Sequence, residues 1–115
     1  MAADLIVLSM PQRIVNERSA LTVTARFRNR AALADVTPTN AYWRVDDDQV
    51  GPITDWTSIT PATTISIPVT SSTNAILNDT RMLETKILTV MSDRGLTTQY
   101  AESMSYQVRN QPYYT

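Results

Sequence analysis

A chain of 115 residues with 43% hydrophobic and 18% charged residues and a formal net charge of -1 is the size of one ordinary domain. The low charge content argues against a disordered tail protein, and ten basic residues matched by eleven acidic ones and scattered along the chain argue against nucleic-acid binding. The chain contains no cysteine and no histidine, so disulfides, thiolate metal sites and the commonest general base are excluded. Any bound metal would be a hard cation held by oxygens.

The opening "MAADLIVLSMPQR" does not read as a signal peptide, because Asp4 stands where a basic region belongs and the apolar run Leu5 to Leu8 is short. No segment has the apolar length needed to cross a bilayer, so synthesis and folding in the cytoplasm are expected. A first strand near "DLIVLS" is interrupted by Pro11 and followed by a second piece, "RIVNE", a break that blunts an edge against unwanted pairing. The clearest strand is "ALTVTARFR", residues 20 to 28: Leu21, Val23, Ala25 and Phe27 share one face, and Thr22, Thr24, Arg26 and Arg28 the other. "TTISIPVT" repeats the alternation with Ile65, Ile67 and Val69 inward, and Pro68 marks it as an edge strand. "TSSTNAILND", 70 to 79, is the sole helical candidate, a single turn capped by Ser71 or Ser72 and ending near Asn78. "ETKILTVMSDRG" favours Leu88 and Val90 as its inward set over Ile87 and Met91. A tight turn at Ser92-Asp93-Arg94-Gly95 leads into "TTQYAESMSYQVRN", where Tyr100, Met104, Tyr106 and Val108 alternate with small polar residues.

Short alternating strands and frequent turns, with a Trp on the third strand, predict an all-β, immunoglobulin-like (fibronectin III-like) antiparallel sandwich of about seven strands. One such domain is expected over residues 1–110, with 111–115 as a C-terminal extension.

The segment "AYWRVDDDQVGPITDWTSI" holds both tryptophans and a run of three acids. Trp43 reads as a core anchor. Trp56 reads either as a lid over the sheet edge or as a contact residue, with Tyr42 beside it as a stacking partner. Asp46, Asp47 and Asp48, with Asp55, read as a solvated hairpin turn rather than a calcium loop, and Asp79 is the one distant acid able to join them. The sole lysine, Lys86, reads as a solvated edge charge. Carboxylate pairs such as Asp46 and Asp48 exist, but nothing points to a buried acid with a raised pKa, and no reaction is expected. Arg26 and Arg28 share a strand face, accompanied in the sequence by Arg13, Arg18 and Arg30. They form either an outer face balanced by acids on neighbouring strands or a protein-contact surface. Tyr113 and Tyr114 belong either to a frayed terminus or to a contact with a neighbouring subunit.

The combination "YWRVDD", "DWTSITPATTISIPVTSSTNAILNDTRMLETKILTVMSDRG" and "YAESMSYQVRN" resembles small virion proteins of tailed bacteriophages. The likeness spans roughly residues 19 to 110 and carries an aromatic-arginine strand, an acidic turn, "DWT", alternating Thr/Ile strands and a closing Y-x-V-x-N. The resemblance implies an immunoglobulin-like structural part of the particle, with no catalytic residues to carry over. Capsid decoration (cement) is the leading role and a head–tail connector or tail accessory the next. Expected partners are the major capsid protein or connector and tail subunits, and possibly a second copy; neither nucleic acid, membrane nor cofactor is expected. An alternative of another class is a carbohydrate-binding or adhesion module in which Trp56 and Tyr42 stack on a sugar.

Overall fold

A computed structural model describes residues 2–78 and 80–110. All regular structure in them is β: β1 (Leu5–Ser9), β2 (Ile14–Asn16), β3 (Leu21–Asn29), β4 (Ala34–Asp35), β5 (Ala41–Asp47), β6 (Gly51–Pro52), β7 (Thr57–Ile59), β8 (Thr64–Val69), β9 (Leu83–Ser92) and β10 (Tyr100–Arg109). The three surplus segments over the expected seven are short pieces that carry too few residues for an alternation to register.

Two sheets face each other. In the smaller, β3 is central, with β1 on one side and β8 and β4 on the other. Ile6 lies opposite Phe27, and Ile67 opposite Val23, so three strands contribute inward apolar pairs at matching levels. The strict alternation of β3 is visible in its burial: Val23, Ala25 and Phe27 are completely enclosed while Thr22, Thr24 and Arg26 face outward. Among the described residues β8 ladders with β3 alone, and Pro68 sits on its outer phase, as an edge strand allows.

The larger sheet runs β2-β10-β9-β5, with β6 and β7 along the far edge of β5. Strands β10, β9 and β5 pair antiparallel, whereas β2 joins β10 in parallel with Val15 opposite Val108. The break at Pro11 falls where the chain moves from one sheet at β1 to the other at β2. Between β6 and β7 the Thr54 hydroxyl accepts the Val45 N–H at 3.0 Å, filling the gap in the ladder at the edge of β5.

The core between the sheets includes Val15, Phe27, Trp43, Val45, Ile67, Leu88, Val90, Tyr106 and Val108. Enclosing each larger apolar side chain contributes about 1.5–3 kcal/mol. Leu88 and Val90 are the inward pair of β9. Trp43 is 8% exposed and packs in this core.

Two local expectations need correction. Residues 70–75 form successive turns and not a helix, with the Thr73 N–H bonded to Thr70 O (3.1 Å) and the Asn74 N–H to Ser71 O (3.2 Å). Thr70, not Ser71 or Ser72, closes them, its hydroxyl meeting those of Ser72 and Thr73. The turn at 92–95 also extends further: Ser92 ends β9 and the connection runs over residues 93–99. Gly95 takes its expected positive φ of 83°, and Asp93 shares that conformation with φ 54°. Asp93 holds the loop, since its carboxylate accepts the Thr39 N–H and the Thr98 hydroxyl, both at 2.7 Å.

Candidate functional site

Strand β5 sends alternate side chains to opposite sides of the larger sheet. Ala41, Trp43, Val45 and Asp47 point into the sandwich; Tyr42, Arg44 and Asp46 point out. On the outer face Arg44 forms a two-point ion pair with Asp46, at 3.0 Å from Nε to Oδ1 and 3.2 Å from a terminal nitrogen to Oδ2. Its guanidinium also stacks over the Trp56 ring, 4.8 Å from the centroid. Arg94, from the β9–β10 connection, lies 5.3 Å from the Trp56 ring and 5.1 Å from that of Tyr42. Three chain segments thus build one array, Asp46–Arg44–Trp56–Arg94–Tyr42, held by cation–π contacts. An open groove of about 350 Å³ runs beside Tyr42, lined by Asn40, Ser58, Ile59, Thr60 and Pro61. Arg44 and Arg94 were not singled out from the sequence. The outward phase of Arg44 with Tyr42 was readable, but Arg94 comes from a loop whose position no periodicity reports.

Arg26 and Arg28 occupy the outer face of the smaller sheet, and both meet Asp35 of β4, at 2.8 and 3.3 Å. The hydrogen bond from Arg26, reinforced by both positive charges, holds the Asp35 carboxyl below its usual range. Asp35 thus offsets part of the positive charge on that face. It lies on the sheet opposite the Trp56 array, so the candidate contact residues divide between two surfaces. Tyr113, Tyr114 and Asp79 lie outside the described residues.

The inner phase of β5 and β9 carries a second cluster that contradicts the expectation for Lys86. Strand β9 is central, between β10 and β5, and Lys86 is 0% exposed. Its Nζ donates to Asp47 Oδ2 at 2.8 Å and to Glu84 Oε1 at 2.9 Å, and both carboxylates are enclosed as well. Asp47 is therefore not part of a solvated turn, although Asp46 and Asp48 remain partly exposed. The carboxylates have further partners. Asp47 Oδ1 accepts the N–H groups of Gln49 (2.9 Å) and Val50 (3.1 Å), tying down the turn before β6. Glu84 accepts the N–H groups of Leu77 and Asn78, each at 2.8 Å, and Arg81 lies 3.6 Å from its Oε2. Burial works against the charged form of Asp47, but hydrogen bonds from Lys86, Gln49 and Val50 outweigh it and hold the carboxyl below its usual range. For Glu84 burial acts likewise and is outweighed by Leu77, Lys86 and Asn78.

The signal for this cluster was the alternation itself. Lys86 and Glu84 are in phase with Leu88 and Val90, and Asp47 is in phase with Trp43 and Val45. Among the described residues no group of three metal-ligating side chains is present. Compared with known proteins, the chain matches no protein-family model and no curated protein sequence.

Proposed function

We propose that this chain is a non-enzymatic structural protein of a tailed-phage virion, binding the outer capsid surface as a decoration (cement) protein. The observation that carries the reading is the preassembled aromatic–arginine array of Tyr42, Arg44, Trp56 and Arg94 on the outer face of the larger sheet. Tyr, Trp and Arg are the residue types that dominate binding energy at protein interfaces. Their mutual stacking reduces the entropy lost when a partner arrives. The link to a virion rests on the resemblance of residues 19 to 110 to small phage particle proteins. We read the sandwich as immunoglobulin-like, supported by the strand order β1-β3-β8 facing β2-β10-β9-β5 and by a first strand divided between the sheets. The sugar-stacking alternative has less support, because guanidinium groups already occupy the rings of Trp56 and Tyr42.

Gradient-purified particles of the phage whose genome encodes the chain test the reading. Mass spectrometry of their proteins is expected to detect it at stoichiometric amounts. Its absence from intact particles would overturn a virion role. Retention on tail-free heads is the result expected of a decoration protein, and loss together with the connector or tail would overturn that placement.

A further inference from the structure

We propose that the buried Lys86–Asp47–Glu84 cluster is a self-reacting site, which joins Lys86 Nζ to Asp47 Cγ in an intramolecular amide bond between β9 and β5. Four observations point the same way. Asp47 and Lys86 are direct cross-strand partners, so the sheet itself holds amine and carboxyl in contact at 2.8 Å. Asp47 Oδ1 receives two backbone N–H groups, from Gln49 and Val50, placed to stabilise negative charge growing on that oxygen during attack. A second carboxylate, Glu84, contacts the attacking nitrogen at 2.9 Å, where it can act as general base. The cation chosen is also telling. Nine of the ten basic residues are arginine, and the one lysine is the one fully enclosed. Arginine is the usual residue for a buried ion pair and cannot give up its proton, whereas an enclosed lysine can become a nucleophile.

The chemistry balances without any co-reactant. One proton passes along the Nζ–H to Oδ2 hydrogen bond, converting ammonium and carboxylate into amine and carboxylic acid. The Nζ lone pair attacks Cγ, and the carbonyl electron pair moves onto Oδ1, held by the Gln49 and Val50 N–H groups. Glu84 takes a second proton from nitrogen and delivers it to Oδ2. The Cγ–Oδ2 bond breaks, the carbonyl re-forms at Oδ1 and water leaves. Three ammonium protons end as one amide N–H and two in water, and Glu84 returns to its carboxylate form. Two of the three enclosed charges disappear, leaving Glu84 beside Arg81. The link closes a loop of the chain from residue 47 to 86, and it requires none of the virion reading to be correct.

Intact-mass measurement of the folded, purified full chain under denaturing conditions tests this. The expected mass is that of the sequence less one water, with a digest yielding one branched fragment that contains both Asp47 and Lys86. A lysine-specific protease, whose only target is Lys86, is expected to leave the unfolded linked chain whole. Asp47→Asn is expected to reach the same product mass by losing ammonia instead of water, and Lys86→Arg to keep its full mass. The full sequence mass in the wild-type chain after prolonged incubation, with normal cleavage at Lys86, would overturn the proposal and leave an ion pair only. Glu84→Gln is expected to keep the unlinked mass, and a linked Glu84→Gln chain would overturn the role given to that carboxylate.

Discussion

At the residue scale the strongest local energies lie where Lys86 meets Asp47 and Glu84 out of reach of solvent. Removing one member of such a group strands the others. Lys86→Met, which loses the cation together with any link to Asp47, is expected to lower unfolding free energy by at least about 3–5 kcal/mol in urea titrations. Adding Asp47→Asn and Glu84→Gln to it should recover part of that loss, because both enclosed negative charges go, the Asp47→Asn amide oxygen still accepts the N–H groups of Gln49 and Val50, and the Glu84→Gln amide oxygen keeps one of the two backbone donors, Leu77 or Asn78. A triple variant no more stable than Lys86→Met would contradict this. Among the shifted groups, Glu84 and Tyr106 act on opposite sides of the pH profile. Glu84 has a folded pKa below its unfolded value of about 4.3. Its contribution is present above that pH and is lost as pH falls through the folded value. Tyr106, enclosed and donating its hydroxyl to Asn74 Oδ1 at 2.6 Å, is shifted the other way, because burial opposes the phenolate. Its contribution is intact below pH of about 10 and declines as pH rises above that value toward the raised folded pKa. Tyr106→Phe should flatten the alkaline side of a melting-temperature profile, at a loss of roughly 1 kcal/mol near neutrality for the missing hydrogen bond.

At the element scale β3 is the simplest test of alternation. Phe27→Ala on its inner phase is expected to reduce stability by about 3–5 kcal/mol, and Thr22→Ala on its outer phase to stay within about 0.5 kcal/mol, both read by denaturant unfolding. The same two-residue period made β3, β8 and the Leu88/Val90 face readable from residues alone. It also placed Lys86 inward, and there the usual preference of lysine for water prevailed over the phase in the sequence reading. The fold resolves the conflict by supplying two carboxylates at the level of the ammonium, one from the facing strand and one two residues earlier. Such partners depend on register, which sequence spacing did not supply. The short β4, β6 and β7 owe their pairing to β3 and β5, not to any pattern of their own. The turns at 70–75 are held by backbone N–H to carbonyl bonds three residues apart and by the Thr70 hydroxyl meeting those of Ser72 and Thr73, a cluster that sequence spacing did not report.

At the scale of the whole molecule, the sandwich turns its arginine-stacked aromatic array outward from the larger sheet and its Arg26–Asp35–Arg28 group outward from the smaller. Of the array, Trp56 was visible in the sequence as a candidate contact, while its partnership with Arg94 depends on the β9–β10 connection folding back toward β5. If that face meets the particle, Trp56→Ala and Arg94→Ala should each weaken co-sedimentation with particles lacking the protein by tenfold or more, the effect of losing about 1.4 kcal/mol or more at an interface centre. Arg26→Ala, on the opposite sheet, should leave it unchanged. The most direct measurement is electron cryomicroscopy of the intact particle. Density for this sandwich is expected on the capsid surface, with Tyr42, Trp56 and Arg94 covered by a neighbouring virion protein. Particles without the sandwich, or a bound sandwich with that face turned to solvent, would contradict it.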